Sequence, residues 1–183
     1  MKPARSFFRQ DISGTAAIEF AGAAMLLVVC LANAVDFSVY EYRTMQVQDA
    51  AQIGAQTAWQ TCNTSNLLPA TQNCTTSNGA AMNLNAAVTT AIQSTALGSR
   101  VSLSSGYPAE AYYCVNSSGA LQSVGSLSSK PANCSAAGNA NTSPGDYVQI
   151  GVTATYAPLF PGFTVVGLWG VSSLSAVSWM RLQ

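Results

Sequence analysis

The chain has 183 residues, enough for one domain of ordinary size, and 49% of them are hydrophobic, enough to bury a core. Only 8% are charged, and seven Lys and Arg offset seven Asp and Glu, so no net field draws nucleic acid. There is no histidine, which removes His-based triads, His-ligated metal sites and the commonest general base.

The first predicted element follows a short basic lead of Lys2, Arg5 and Arg9. Residues 15–35, TAAIEFAGAAMLLVVCLANAV, then run for 21 positions with Glu19 as the one charge. A helix of that length spans about 31 Å, matching a hydrocarbon core of roughly 30 Å. The basic residues precede it, so the positive-inside rule predicts a cytoplasmic N-terminus, with everything after Val35 outside. Two other readings compete. The uncharged stretch 20–35 is long for a core helix of a soluble domain. Ala32-Asn33-Ala34 fits the small-residue pattern of a signal-peptidase site. Against that site stand Glu19 and a pattern that continues to Gln60 without a turn signal. A plain anchor leaves Glu19 unexplained too. An ionisable residue in a span is a functional hypothesis by default, and no Lys or Arg lies on a neighbouring turn. Cleavage between Gly14 and Thr15 would create an ammonium at Thr15, four residues before Glu19 and on the same helix face.

Residues 36–59 read as the same helix continuing outward. Tyr40, Thr44, Val47, Ala51, Gly54 and Ala58 recur at spacings of four and three. Such a face of mostly small residues either covers the protein's own sheet or meets other helices, and the spacing allows both. Tyr40 and Tyr42 suit an interfacial aromatic belt. A loop rich in Asn, Thr and Ser follows. A second helix is predicted over 80–97, because Leu84, Val88, Ala91 and Ile92 share a face and Gly98 can cap the end. Strands are predicted over 100–105, 110–116 and 147–156, the last with Val148, Ile150 and Val152 on one face. The tail 170–182 holds Val171, Leu174, Val177 and Trp179 and reads as a final antiparallel strand. Between residues 117 and 145 lies a polar Ser/Gly/Asn loop with little periodicity. The fold class is α+β: a long N-terminal transmembrane helix continuing into a small head with one further helix and an antiparallel sheet. The divisions are a leader over 1–14, a transmembrane helix over 15–35, its extension over 36–60 and a head over 61–183.

Of the five cysteines, Cys30 falls in the apolar run and serves there as a small apolar residue. Cys62, Cys74, Cys114 and Cys134 would lie outside, where disulfides persist, and their spacings are unlike C-x-x-C metal or redox motifs. Four cysteines allow three pairings. Cys62–Cys74 with Cys114–Cys134 is favoured, because each pair brackets a polar loop that needs an anchor. No catalytic residue, cofactor or metal site is expected. No G-x-S-x-G is present, and a Ser–Lys dyad would need Lys130 in the loop Ser128-Ser129-Lys130-Pro131. Glu110 and Asp146 are separated by strand and loop and offer no evident acid pair.

The segment Gly14-Thr15-Ala16-Ala17-Ile18-Glu19-Phe20 resembles the class III signal of type IV pilin-like proteins. With the apolar run, Asp36-Phe37 and Gln46-Val47-Gln48-Asp49-Ala50-Ala51-Gln52-Ile53-Gly54-Ala55, it is similar to the TadE-like minor pseudopilins of the tight adherence (Flp pilus) machinery. Thr155-Tyr156-Ala157-Pro158-Leu159-Phe160-Pro161 and the apolar tail are similar to that family's C-terminal strand region. Thr15 departs from the Phe that many pilins carry there. The resemblance implies that a prepilin peptidase cuts between Gly14 and Thr15, leaving Glu19 as the pilin-type charge at the fifth mature position. It implies a single-pass protein of a bacterial inner membrane with a periplasmic head, which assists assembly of Flp-type pili and is no enzyme. Its partners would be the peptidase, other pilins and pseudopilins, the pilus machinery and membrane lipid, with no nucleic acid. The alternative is a secreted or membrane-anchored extracytoplasmic binding domain unrelated to pili.

Overall fold

The computed structural model describes residues 12–182; the basic residues Lys2, Arg5 and Arg9 lie outside them. Helix α1, Ile12–Cys62, runs unbroken for 51 residues. Its sequence explains the length: Ala recurs in both halves, Leu joins it in the first and Gln in the second, and no proline interrupts them. The remaining elements are short. They are α2 (Ala70–Asn73), α3 (Leu84–Gln93), β1 (Val101–Leu103), β2 (Ala109–Val115), β3 (Leu121–Ser123), β4 (Gly145–Thr155), α4 (Val165–Leu168) and β5 (Ser173–Arg181).

By packing, these elements form two units. One is α1 as far as Tyr40 together with Pro158–Gly170; the other is Glu41–Ala157 with the chain from Val171 onward. Compactness therefore groups Pro158–Gly170 with the helix and not with the rest of 61–183.

In the second unit β4 is the central strand, antiparallel to every neighbour. Strand β5 covers one edge from Tyr147↔Arg181 to Thr155↔Ser173. The other edge is shared by β1, at Val101↔Ala154, and β2, at Glu110↔Val148, with β3 added outside β2. Val148, Ile150, Val152 and Ala154 alternate along β4 and are buried. They face the small-residue stripe of α1, in which Val47, Ala51, Gly54 and Ala58 are buried as well. A Cβ on Gly54 would stand 3.0 Å from Cγ2 of both Ile150 and Ile92, so α1, the sheet and α3 meet at that glycine. Of the two uses the spacing allowed, this stretch covers the protein's own sheet.

Helix α3 is shorter than the predicted 80–97. Asn83 accepts a hydrogen bond from the Ala86 amide at 2.8 Å and so fixes the start. The hydroxyls of Ser94 and Thr95 donate back to the carbonyls of Ala91 and Ile92, each at 2.7 Å, and close the end. Ala87 and not Ala91 completes the buried face with Leu84, Val88 and Ile92. The predicted polar loop over 117–145 contains β3, whose three residues are all exposed and so leave no alternation to read. In β5 Leu174 is buried, whereas Val177 and Trp179 face outward, each nearly half exposed.

Candidate functional site

Gly14, Thr15 and Glu19 stand in the first turns of α1, with Gly14 and Glu19 exposed. No atom of the described residues lies within 4 Å of a Cβ built on Gly14, so their packing does not ask for glycine there. From Ala16 the helix is long and apolar enough to cross a membrane, and none of its most apolar window is buried. Ile18 and Phe20 are each 75% exposed, and Met25 and Leu26 hardly less. Cys30 is a free thiol on this same uncovered surface.

At the end of the run the polarity reverses. Asp36 is completely buried. Its carboxylate accepts the Leu159 amide at 2.9 Å and the Thr164 hydroxyl, while Asn33 one turn earlier accepts the Val165 amide at 2.8 Å. The amide of Asn33 also donates to the Val29 carbonyl at 2.8 Å, so both ends of that side chain are used. Thr164 in turn caps α4 by accepting from the Gly167 amide at 3.1 Å. These bonds clasp Pro158–Gly170 onto α1. The sequence reading missed the clasp. Asn33 stood there only as part of a possible cleavage pattern and Asp36 only as a point of resemblance. The available clue was a carboxylate directly abutting an apolar run.

A second polar cluster lies inside the sheet unit. The register Glu110↔Val148 and Tyr112↔Asp146 sets Glu110 and Asp146 diagonally on one buried face. The expectation that strand and loop keep these acids apart is thus corrected, because β2 and β4 are direct neighbours. Glu110 accepts the amides of Ala70 and Thr71, both at 2.7 Å, and the Thr71 hydroxyl at 2.6 Å, which pins the start of α2. Asp146 is buried, and its carboxyl has no hydrogen-bond partner among the described residues. Burial, and then the Glu110 carboxylate beside it, push the Asp146 pKa up to about 7, against a smaller opposing pull from Lys130. Burial and the same two acids also raise the Tyr112 phenol, and Lys130 sits 5.4 Å from that ring's centre. The pair is closed to solvent, and one member is occupied in holding α2.

Disulfides join Cys62 to Cys74 and Cys114 to Cys134. The first ties the last residue of α1 to the residue after α2. The second ties β2 to the long polar loop and centres a small core of Tyr112, Val124 and Ala137. On the opposite face of the sheet Tyr113 meets Tyr147 and Trp179 edge-on, with ring centres 5.7 and 5.2 Å apart.

Comparison with known proteins places a family on the helix. Residues 14–56 match the model of the TadE-like protein family. The match begins at Gly14, takes in Glu19, Asn33 and Asp36, and ends within the buried stripe of α1. Residues 147–183, the more loosely similar region, lie outside it. No curated protein and no solved structure matches the chain.

Proposed function

We propose that the chain is a membrane-anchored protein associated with a tight adherence pilus, acting without catalysis as a minor pilin-like subunit processed by a prepilin peptidase. The observation that carries this reading is the coincidence of the TadE-like match, at 14–56, with a helix whose apolar surface the fold leaves bare. A surface of that kind needs lipid or other apolar helices around it. The N-terminus is cytoplasmic, the span crosses the inner membrane and the disulfide-bearing unit lies in the periplasm, as the basic lead and the cysteines support. Gly14 supports processing, since nothing among the described residues requires it and a small residue lets a protease approach the backbone. The cut would place an ammonium on Thr15, one helical turn from Glu19, and so a registration charge for packing against neighbouring pilins. Cleavage after Ala34 is disfavoured, because it would discard Asn33 and with it the acceptor of the Val165 amide.

Mass spectrometry of the mature N-terminus tests this reading. A start at Thr15 is expected, and Gly14→Val should leave the precursor uncut in the membrane. A start at Val35 overturns the proposal. Glu19→Ala removes a charge that is costly in lipid, so membrane insertion should hold or improve while co-purification with other pilins falls. Unchanged assembly of that variant would remove the registration role.

A further inference from the structure

We propose that Pro158–Gly170 is an interfacial membrane anchor, whose outward apolar side chains enter the headgroup and upper acyl region of the leaflet surrounding the end of the α1 run. The inference rests on the reading that α1 crosses a membrane.

Three observations carry it. The first is composition: PLFPGFTVVGLWG contains no charged residue. Leu159, Phe160, Phe163, Val165, Leu168 and Trp169 are all exposed, from 41% at Phe160 to 68% at Leu168. Thr164 and Val166, by contrast, are fully buried. A soluble loop shows the reverse arrangement, apolar inward and polar outward.

The second observation is how the backbone is satisfied. An irregular segment in a low-dielectric interface must find partners for its amides within the protein. Here the Leu159 and Val165 amides are taken by side chains of α1, and the Gly167 amide by the Thr164 hydroxyl. The amides of Leu168 and Trp169 donate to the carbonyls of Thr164 and Val165 at 2.8 and 3.0 Å. The segment is thereby folded from within, and its apolar side chains are left for the surroundings.

The third is position. The segment is fastened at Asn33 and Asp36, where the uncharged run ends, so the medium around Leu31 and Val35 also reaches the loop. Aromatic side chains concentrate at that level of a bilayer. Phe160, Phe163 and Trp169 of the loop, with Phe37 of α1 (49% exposed), supply such a belt. Continuity with the span selects lipid over a protein partner.

The experiment uses the full chain in vesicles of phosphatidylethanolamine and phosphatidylglycerol, carrying the fluorophore NBD on one cysteine at a time. Native Cys30, free and exposed, reports the span. Leu168→Cys in a Cys30→Ser background reports the loop, and Ser117→Cys in the same background reports an exposed turn of the sheet unit. All three sites are exposed, and Phe163→Cys repeats the loop measurement at a second site. Doxyl quenchers placed high on the lipid acyl chain should quench the loop labels severalfold more than the label at 117. Aqueous dithionite should reduce the loop labels severalfold more slowly. If Cys30 is quenched while both loop labels behave like the label at 117, the span stands and the anchor is overturned. Loop labels shielded from dithionite yet unquenched by lipid would mean a protein cover, such as a second copy, and also overturn it. An unquenched Cys30 label would show instead that the spanning reading had failed, and the anchor with it.

Discussion

Helix α1 carries two surfaces of opposite design. Between Ile18 and Val35 its large side chains, among them Phe20, Met25, Leu26 and Leu31, are uncovered. From Val47 to Cys62 the buried positions are Val47, Ala50, Ala51, Gly54, Ala55, Ala58 and Cys62, none larger than valine. The difference teaches what side-chain size selects. Small residues let a sheet and a second helix approach to contact distance, so that stretch is closed by the protein itself. Large uncovered residues cannot be left to water over such a length, and they require an apolar medium that the chain does not supply. One backbone conformation thus carries two kinds of surface, and side-chain size separates them.

The comparison breaks most readily at Asp36, where the first surface ends. Asp36→Ala removes the acceptor for the Leu159 amide and the Thr164 hydroxyl. The Leu159 amide is left unsatisfied at a cost of about 1–3 kcal/mol, while the Thr164 hydroxyl keeps the Phe160 carbonyl at 3.3 Å, so the local loss is about 2–3 kcal/mol. Hydrogen exchange at the Leu159, Thr164 and Val165 amides should speed up strongly, with protection along β4 unchanged. Loss of protection in β4 as well would mean that the two regions do not answer to separate surroundings. Asp36→Asn keeps an acceptor and should fall between the two.

The contrast extends to buried acids. Asp36 has its donors, whereas no amide or hydroxyl among the described residues donates to the carboxyl of Asp146, which faces Glu110. A carboxyl whose pKa is about 7 in the fold and about 4 unfolded keeps, between those values, a proton that the unfolded chain has released. Its contribution is therefore complete below about pH 4, declines as pH rises through the window, and is gone above about pH 7. The unfolded chain gives up this proton first as pH rises, so the fold is less stable at pH 7 than at pH 5. Urea midpoints of the sheet unit should fall over that range, and Asp146→Asn should flatten the decline. Glu110, Tyr112 and Lys130 surround the group, so Lys130→Met, which removes the opposing pull, should shift the window upward.

How much of this was legible follows from what each residue meets. The long helix, the second helix and four of the strands were readable, because the buried parts of each meet their partners on one periodic face. β4 shows it plainly: Val148, Ile150 and Val152 alternate in the sequence as they do in the core. β3 was not readable, since it is held by register to β2 while all its side chains face solvent. The site was half legible. Gly14, Thr15 and Glu19 formed a local pattern, and residues 14–56 carry a family match, but Asp36 and Thr164 are 128 positions apart. No periodicity links such a pair. The acids Glu110 and Asp146 escaped for the same reason, because only the pairing of β2 with β4 makes them neighbours.

The smallest effect gives the sharpest comparison, because it asks the same question of both halves of α1. Gly22 and Gly54 are both helical, and alanine at either should gain up to about 1 kcal/mol of helix propensity. Their surroundings differ. A Cβ on Gly22 meets nothing within 4 Å among the described residues, whereas on Gly54 it meets Ile150 and Ile92 at 3.0 Å and Val88 at 3.2 Å. Overpacking a core of this kind costs typically about 1–3 kcal/mol, which outweighs the propensity gain. Gly54→Ala should therefore lower the denaturant midpoint of the sheet unit, followed by near-UV circular dichroism, by a net of about 1 kcal/mol. Gly22→Ala should leave that transition where it is. Its substituent points away from the described residues, so any effect belongs to association with other molecules. Ile92→Leu moves the branch from Cβ to Cγ, which removes one of the two methyl contacts at 3.0 Å, and should recover part of the Gly54→Ala loss when the two are combined, a coupling that a double-mutant cycle reads directly. Equal shifts from both glycine variants would mean that the two halves of α1 share one environment, and the division drawn from their side-chain sizes would fall.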